Sequence, residues 1–293
     1  MPRAAFVINW TLVHDRRGFE RRCRAAAEAS GWEPVFAETH AGGRGPAREA
    51  VAGAGLVFAA GGDGTVRSCA ETVAGTGVPL AIVPLGTANL TARALGIPGR
   101  VDRALEVGFR GRDRRIDLAS VAEGGAGSYF AAMAGMGLDA AVVGAAHVTG
   151  KHRLGWVAYA VSGVAHLAMA PWDFTVRLDG GEPLERRARC VVVGNAGLLP
   201  GGFVLLPEAR LDDGWLDVGI LAPAGVLGWP RVAGLVLTRS RRRDVQLERF
   251  RARRVEISAG VDLPRQVDGE VIAAGRTLTV SVSPGVLTVR QRK

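Results

Sequence analysis

Short apolar runs alternate with helical patterns through residues 4–96, and this alternation constrains the fold more than any other feature of the sequence. Strands and helices that follow one another through short connections form a parallel sheet covered by helices. Ligands of such sheets bind beyond the carboxyl ends of the strands. The pattern predicts strands at 4–10, 33–39, 56–62 and 79–86, and helices at 18–31, 45–54, 65–75 and 87–96.

The pattern changes near Asp117, beyond which most segments are strand-like and are joined by glycine-rich turns. This is typical of an antiparallel sandwich, with helical stretches expected at 139–169 and within 218–239. We therefore predict an α/β domain with a Rossmann-like parallel sheet at 1–117, to which residues 285–293 could return, and a β-rich domain at 118–284. A cleft between two domains is the usual position of a ligand site.

Composition excludes several classes of protein. With 293 residues and 48% hydrophobic side chains, the chain can bury a substantial core, which excludes disorder. The net charge of +9 is carried almost entirely by arginine, since the lysines are Lys151 and Lys293. Such a charge attracts anionic membranes, phosphorylated ligands or nucleic acid, or it reflects genomic composition alone. The arginines are scattered and no nucleic-acid-binding module is recognised, so we expect no nucleic-acid partner.

Cysteine spacing and hydropathy indicate the compartment. Cys23, Cys69 and Cys190 are widely spaced and form no CxxC pair, which favours neither disulfides nor a zinc site and fits a reducing cytoplasm. The most membrane-like segment, 218–237, is interrupted by prolines and an arginine, and it falls short of the ~20 apolar residues that a span needs. We expect a soluble cytoplasmic protein that touches the inner face of the membrane only peripherally.

The segment GGDGT, residues 61–65, follows an apolar strand and opens a helix. Glycines at this position let backbone amides of the helix N-terminus approach a phosphate closely. Asp63 would repel the phosphate unless it is turned aside, binds a metal or hydrogen-bonds a ligand hydroxyl. The alternative is an ordinary strand-to-helix turn with Asp63 as the N-cap. The segment matches neither the Walker loop nor the dinucleotide fingerprint.

The next predicted strand ends in the same manner, with Gly86, Thr87 and Asn89 before a helix. Two neighbouring strands would then present glycine-rich turns at one edge of the sheet, which suits a nucleotide that lies across the strand ends. Taken alone, this turn could be an ordinary one with Thr87 as the helix cap. The pair of turns predicts a nucleotide site.

Two acidic segments lie in the β-rich part. Asp268 and Glu270 flank a glycine, and on a strand their carboxylates would face the same side, where one could accept a proton and the other could place a metal or nucleotide. The alternative, which the motif alone favours, is a hairpin turn at Asp268 and Gly269. Asp212, Asp213 and Gly214 offer oxygen ligands to a hard cation such as Mg²⁺, or form another hairpin turn.

The sequence resembles the diacylglycerol kinase catalytic-domain superfamily, specifically the bacterial soluble lipid kinases, which are related to sphingosine kinases and more distantly to NAD kinases. The resemblance covers nearly the whole chain and rests on five segments in the family's order: GGDGTV, PLGTANLTARALGIP, RRIDLA, GNAGLLPGGFVLLPEARLDDGWLDV and RQVDGE. It implies ATP-dependent transfer of the γ-phosphoryl group to a lipid hydroxyl, with diacylglycerol as the expected acceptor and phosphatidic acid as product. It also implies a nucleotide-binding domain followed by a lipid-binding domain.

The resemblance further implies an ATP site, a general base and magnesium sites. The ATP site corresponds to Asn9, Thr39, Gly61, Gly62, Asp63, Gly64, Thr65, Val66 and Thr87, with Gly86 and Asn89 expected from the second turn. The general base corresponds to Glu270, with Asp268 beside it, while Asp63 and Asp117 match acidic positions near the phosphates and Mg²⁺. A structural Mg²⁺ corresponds to the loop of Arg210, Asp213 and Trp215, in which only Asp213 would use its side chain.

Two departures from the family keep alternatives open. Trp10 stands where the family has proline, and Leu90 stands where many relatives have aspartate. The alternatives are a kinase for a sphingoid base, ceramide or phosphatidylglycerol, then an NAD kinase, then a catalytically silent lipid-binding regulator. The arginines of segment 239–243 could dock on an anionic membrane or could simply be solvated. Strand edges of the second domain could pair two chains into a homodimer.

Overall fold

The computed structural model describes residues 1–39, 51–122, 128–138, 140, 170–199 and 203–293. The chain forms two compact units. The first comprises Met1–Asp117 and Gly285–Lys293, and the second comprises Leu118–Pro284. The helices predicted at 45–54 and 139–169 fall almost entirely outside the described residues.

A parallel sheet and its helices form the first unit. Its elements are β1 (Arg3–Ile8), the 3₁₀ turn η1 (Trp10–Leu12), α1 (Arg16–Glu28), β2 (Glu33–Glu38), β3 (Leu56–Gly61), α2 (Asp63–Val73), β4 (Leu80–Pro84), α3 (Leu90–Ala94) and α4 (Val101–Arg110). The strands lie in the order β4, β3, β1, β2, and each neighbouring pair is parallel. All residues of β3 and β4 are buried, as expected of parallel strands that are covered on both faces.

Aromatic packing and an amphipathic helix fill the core of this unit. Phe6 and Phe58 lie opposite each other on β1 and β3, with their ring centroids 4.5 Å apart, and Phe109 of α4 lies 4.7 Å from Phe58. Helix α1 turns Cys23 toward the core, and burial raises the pKa of its thiol to about 12. These contacts explain why the alternating pattern of the N-terminal sequence folds as predicted.

Antiparallel strands form the second unit. Its elements are β5 (Arg112–Val121), β6 (Ser128–Phe130), β7 (Met133–Gly137), β8 (Trp172–Leu178), β9 (Leu184–Ala188), β10 (Cys190–Gly194), β11 (Leu216–Leu221), the 3₁₀ turn η2 (Val226–Gly228), α5 (Trp229–Leu237), β12 (Leu247–Ala252), β13 (Arg254–Val267) and β14 (Glu270–Gln291). Strands β12, β11, β10, β7 and β13 are successive antiparallel neighbours, and β13 also pairs with β8 and β14. The predicted fold class, a parallel α/β sheet followed by a β-rich antiparallel part, is confirmed.

Two strands carry the chain from one unit to the other. Strand β5 begins in the first unit and ends in the second, whereas β14 begins in the second and ends in the first. The returning part of β14 joins the parallel sheet, because Val289 pairs with Leu80 of β4. The backbone amide of Gly75 donates to the carbonyl oxygen of Val286 (2.8 Å) and fastens the same segment.

Helices are few in the second unit. The helix expected within 218–239 is α5, which is preceded by the end of β11 and by η2. Within the ranges that the structure describes, no helix combines the length and apolarity required to cross a bilayer.

A methyl group added at Gly108 is predicted to destabilise the first unit. A Cβ atom there would lie 2.6 Å from Cζ of Phe58 and 3.0 Å from Cβ of Ala81, so Gly108→Ala should lower the free energy of unfolding by about 1–3 kcal/mol. The matched control is Gly234→Ala in α5, where a Cβ meets no atom within 4 Å and helix propensity should give a gain of up to about 1 kcal/mol. Chemical denaturation of the two variants measures both, and equal effects would contradict the packing described here.

Candidate functional site

The parallel strands of the first unit end at one edge, and the residues predicted to hold a nucleotide follow those ends. Asn9 follows β1, Thr39 follows β2 and Gly62 follows β3. Backbone bonds fix this edge, since the amide of Asn9 donates to Ala60 (2.9 Å) and the amide of Thr39 donates to Ile8 (2.9 Å). Thr39 is buried, and its hydroxyl oxygen has no hydrogen-bond partner among the described residues. The carboxyl edge of the sheet therefore gathers predicted site residues from three strand ends.

The two glycine-rich turns lie against each other. Gly61 at the end of β3 is paired with Pro84 of β4, and the amide of Leu85 donates to the carbonyl oxygen of Gly61 (2.9 Å). A Cβ on Gly86 would lie 2.7 Å from the Cα of Gly62, whereas a Cβ on Gly62 would lie 3.6 Å from the Cα of Gly86. The close approach of the turns thus depends on the glycine at position 86.

Helix α2 begins without a side-chain cap. Its N-cap is Gly62, with φ −90° and ψ −170°, and Asp63 is the first helical residue, so the alternative reading of Asp63 as the N-cap is wrong. The first amides of a helix have no intrahelical acceptor and carry the positive end of the helix dipole. A Cβ on Gly64 would meet nothing within 4 Å, which leaves open space at this helix start. The N-terminus of α2 is therefore suited to an anionic group such as phosphate.

The Asp63 carboxylate is bound to the start of the neighbouring helix α3. Its Oδ1 accepts a hydrogen bond from the amide of Thr91 (3.1 Å). Burial raises the pKa of Asp63, while bonds from the backbone of Thr91, Leu90 and Asn89 oppose that rise. The carboxylate thus binds the start of α3 and links the two turns.

The side chain of Asn89 closes the second turn. Its Oδ1 accepts from the amide of Gly86 (3.0 Å) and its Nδ2 donates to the carbonyl oxygen of Gly86 (2.6 Å). Asn89, in the left-handed region with φ 46°, is the N-cap residue of α3, so the reading of Thr87 as helix cap is wrong. Thr87 itself is exposed at the tip of the turn.

Other predicted ATP-site residues turn inward. Thr65 and Val66 are 4% and 3% exposed, and the Thr65 side chain occupies the space beside Gly61 that a Cβ would need. Asn9 uses its side chain to cap η1, because its Oδ1 accepts from the Thr11 amide (3.1 Å). Any contact of Thr65 or Val66 with a ligand would therefore have to be made by backbone atoms.

Asp117 anchors the returning end of the chain. It is 2% exposed, and its Oδ1 accepts from the amide of Gly285 (2.7 Å). Gly285 has φ +59°, a conformation that favours glycine. This carboxylate fixes the bend at which β14 returns to the first unit.

Asp268 occupies a hairpin turn rather than a strand. Val267 pairs with Glu270 across a two-residue loop, and Asp268 and Gly269 have φ of 48° and 78°, as in a type I′ turn. The hairpin turn that the motif alone favours is therefore confirmed, and the placement of Asp268 and Glu270 on one side of a strand is wrong. Asp-Gly satisfies the positive φ that this turn needs at both positions, and that requirement decides the local structure.

Three backbone amides hold the carboxylate of Asp268. Its Oδ1 accepts from Ala132 (3.0 Å) and Met133 (2.9 Å), and its Oδ2 accepts from Ala131 (3.2 Å). Asn195, which is fully buried, supports that segment by donating from Nδ2 to the carbonyl oxygen of Ala131 (3.2 Å). Sequence reasoning missed these partners because backbone amides leave no signal in a sequence, although Asn195 lies in the GNAG segment of the resemblance.

Glu270 follows this hairpin as the first residue of β14. It is half-buried, opposite Val267. The amide of Gly269 donates to Oε1 of Gln266 (2.9 Å), which adds a further bond to the turn. The hairpin that positions Glu270 is thus fixed from both sides by hydrogen bonds.

The loop predicted to bind a structural cation contains an ion pair. Oδ1 of Asp213 accepts from the amide of Trp215 (3.1 Å), and the other carboxylate oxygen contacts the guanidinium of Arg251, which also lies 5.7 Å from the centre of the Trp215 ring. Arg251 reaches Oδ2 of Asp217 as well (3.7 Å), and burial raises the pKa of Asp217 to about 6. The nearest charged partner of Arg210 is Asp212 (3.7 Å). Arg251 was missed because it lies far along the chain from this loop.

The predicted metal residues do not form a cluster of ligands. Across the part of the chain that the structure describes, no three His, Cys, Asp or Glu side chains come together as a metal site. Asp63, Asp117 and Asp213 each accept a backbone hydrogen bond, and Asp213 also contacts Arg251. The described carboxylates therefore form no cluster of three ligands, and the 210–215 loop, in which only Asp213 would use its side chain, stays a prediction.

Comparison with protein families assigns both parts of the chain. Residues 14–121 match the diacylglycerol kinase catalytic domain, and residues 132–291 match the YegS C-terminal NAD kinase beta sandwich-like domain.

Curated relatives share these sequences over most of their length. A "Probable lipid kinase YegS-like" protein of Pseudomonas aeruginosa is 37% identical over 246 residues, which covers 81% of this chain and 77% of the relative. Another of that name, from Pseudomonas fluorescens, is 33% identical over 95% of this chain and 93% of its own length. A "Diacylglycerol kinase" of Bacillus subtilis is 30% identical over 73% of this chain and 71% of its own length.

Solved structures share the fold. A diacylglycerol kinase from Bacillus anthracis superposes with a TM-score of 0.73 at 19% identity, and the match covers 99% of this chain and 97% of the other. An NAD kinase from Archaeoglobus fulgidus in complex with ATP superposes with a TM-score of 0.56 at 14% identity, over 99% and 94% of the two chains.

Contact between the two glycine-rich turns predicts an asymmetric effect of alanine. Gly86→Ala should lower the free energy of unfolding by about 1–3 kcal/mol, because its Cβ overlaps the backbone of Gly62. Gly62→Ala should cost less, up to about 1 kcal/mol, since its Cβ would make an ordinary contact and the cost is that of alanine at the N-cap of α2. Denaturation without nucleotide measures both variants, and a Gly62→Ala effect as large as that of Gly86→Ala would refute the arrangement.

Removal of one acceptor oxygen from Asp268 is predicted to loosen its hairpin. Asparagine tolerates the left-handed conformation, but its NH₂ group would face a backbone amide, so Asp268→Asn should cost about 2 kcal/mol of stability. The control is Asp179→Asn, also at positive φ, because a single oxygen, Oδ1, accepts from the amides of Arg253 and Arg254 and asparagine keeps that oxygen. Similar losses in both variants would show that the three amide bonds contribute little.

Proposed function

The chain belongs to the diacylglycerol kinase catalytic-domain family, and on that premise we propose that it transfers the γ-phosphoryl group of ATP to the hydroxyl of diacylglycerol, giving phosphatidic acid. The coarser part of this statement, a lipid kinase, follows from membership of the family and from relatives that are named lipid kinases and diacylglycerol kinase. The observation that carries the proposal is the uncapped N-terminus of α2, placed against the second glycine-rich turn.

We assign the phosphates of ATP to the start of α2. Backbone amides of Gly62, Asp63 and Gly64 would donate to phosphate oxygens, and the helix dipole would add a favourable field. The open space beside Gly64 permits a close approach. Asp63 would act as a positioning residue here, because its carboxylate holds α3 and the second turn in place.

Phosphoryl transfer needs positioning and charge stabilisation rather than a nucleophile on the protein. ATP supplies the phosphoryl group, and the lipid hydroxyl supplies the attacking oxygen. Glu270 is assigned as the base that accepts the hydroxyl proton. Asp268 is assigned as a positioning residue rather than a base, because its oxygens accept three backbone hydrogen bonds that fix the hairpin carrying Glu270.

Magnesium stays a prediction from the resemblance. Because the described carboxylates do not gather into a ligand cluster, no step is derived through a metal held by the protein. At the 210–215 loop, a bound cation would share the carboxylate of Asp213 with the guanidinium of Arg251 or displace it.

Replacement of the proposed base is predicted to abolish lipid phosphorylation. Glu270→Gln keeps the size of the side chain and removes the proton acceptor, so kcat should fall by roughly 100-fold or more while the protein stays folded. Glu256→Gln is the control, because this glutamate lies on β13 in an exposed pair with Arg254 (2.8 Å) and has no assigned role in the reaction.

The assay should use labelled ATP and a panel of diacylglycerol, sphingosine, ceramide, phosphatidylglycerol and NAD. Labelled phosphatidic acid is the expected product. Full activity of Glu270→Gln would overturn the assignment of the base, and label in NAD without label in any lipid would replace the lipid kinase with an NAD kinase.

A further inference from the structure

Segment 226–245 of the second unit combines exposed apolar side chains with arginines. We propose that this segment, η2 with α5 and the loop that follows, is a membrane-docking surface that binds bilayers containing anionic lipid. The inference goes beyond the proposed function, because it concerns where the chain binds rather than what it phosphorylates.

Exposed apolar side chains concentrate in this segment. Of the eight large hydrophobic residues that are exposed among the described residues, four lie here: Val226 (53%), Leu227 (91%), Leu237 (66%) and Val245 (80%). Single exposed hydrophobic residues are ordinary, but a cluster marks a surface that contacts another apolar phase. The side chain of Leu227 is almost as exposed as in an extended chain, so it adds little to packing within the unit.

Hydrogen bonds join the parts of the segment into one surface. The amide of Ala222, before η2, donates to the carbonyl oxygen of Gln246 (2.9 Å). A Cβ on Gly228, next to Leu227, would lie 2.9 Å from Oε1 of Gln246, which neighbours Val245. Helix α5 is tied to the same loop, because Nε of Arg231 donates to Oδ2 of Asp244 (2.7 Å). The exposed residues of η2 and of the loop therefore lie close together.

The charge of the segment matches an anionic membrane. It contains five arginines and one acidic residue, Asp244, which is already paired with Arg231. Arg239, Arg241, Arg242 and Arg243 are all exposed. Glu208 faces this group from the preceding loop, 4.0 Å from Nε of Arg241. Basic residues beside apolar ones place the apolar side chains in the interfacial region and the guanidinium groups among lipid phosphates.

The backbone of Arg239 gives an independent reason to assign a function to this segment. Helix α5 ends with the amide of Arg239 bonded to Val236 (3.1 Å) and the amide of Ser240 bonded to Leu235 (2.9 Å), which is the Schellman pattern. The residue at this position, Arg239, has φ +51°, where helices usually place glycine. Arginine at this position is strained and lowers the stability of the turn. Its presence there therefore indicates a role for its side chain.

Vesicle sedimentation without ATP tests the proposal. We expect the wild type to bind vesicles made from an equal mixture of phosphatidylcholine and phosphatidylglycerol. It should bind vesicles of pure phosphatidylcholine far more weakly. The triple variant Arg241→Ala, Arg242→Ala, Arg243→Ala should bind the anionic vesicles roughly 100-fold more weakly, because each arginine contributes several-fold. The charge-matched control is Arg112→Ala, Arg115→Ala, Arg177→Ala, which changes exposed arginines of β5 and β8 and should bind like the wild type.

Two single variants separate docking from folding. Leu227→Ser should lower vesicle binding about tenfold with an unchanged melting midpoint, because the leucine is exposed in solution and buried only in the bilayer. Arg239→Gly should raise the melting midpoint by roughly 2 °C, since glycine relieves the strain, and yet should weaken vesicle binding.

Three outcomes would overturn the proposal. One is an equal loss of vesicle binding in the surface triple variant and in its charge-matched control, which would indicate that binding depends on the net charge of the protein and not on this surface. Another is equal binding of the wild type to neutral and anionic vesicles. The third is a dimer in solution that Leu227→Ser dissociates while vesicle binding is unchanged, which would assign the surface to a second copy of the chain. The vesicle experiments contain no ATP, so their result does not depend on kinase activity. Failure of the docking proposal can therefore be distinguished from failure of the proposed function.

Discussion

Within each unit, hydrogen bonds from backbone amides to aspartate carboxylates hold the segments that carry the predicted site residues. Asp63 binds the start of α3, Asp117 binds the bend at Gly285, and Asp268 binds the chain before β7. A bond to a charged acceptor contributes about 1.5–3 kcal/mol, and an unsatisfied buried donor costs a similar amount. These aspartates therefore stabilise the turns by hydrogen bonds, and the proposed chemistry depends on the backbone conformation that they fix.

The sequence was sufficient to predict those features of the fold that depend on local patterns of residues. Periodicity predicted the strands of the first unit and its helices α1, α2 and α3, because apolar runs such as residues 56–61 are buried throughout and helices such as α1 are amphipathic. Helix α4 (Val101–Arg110) was not predicted. The ordered segments predicted the family, which the comparisons confirm. The predicted ATP and magnesium ligands stay predictions, although the structure places the glycine-rich turns in contact.

The features that the sequence could not predict depend on partners remote in the chain. Asp63 is not an N-cap because α3 supplies its amide donor, and the carboxylate of Asp268 is held by the amides of residues 131–133, far from it in the chain. Pro284 and Gly285 are typical of a strand break, yet β14 continues through them because Asp117 accepts the freed amide. In each case the deciding partner is a backbone amide, which has the same chemistry in every residue except proline.

The return of β14 to the first unit also bears on the order in which the protein can fold during synthesis. Residues 285–293 leave the ribosome only after the whole second unit, and until they do, the β4 edge of the parallel sheet lacks the strand that pairs through Val289. An unpaired edge of apolar strands invites association with other chains. The first unit therefore cannot complete its parallel sheet until the second unit has been synthesised, and its β4 edge stays unpaired during that time.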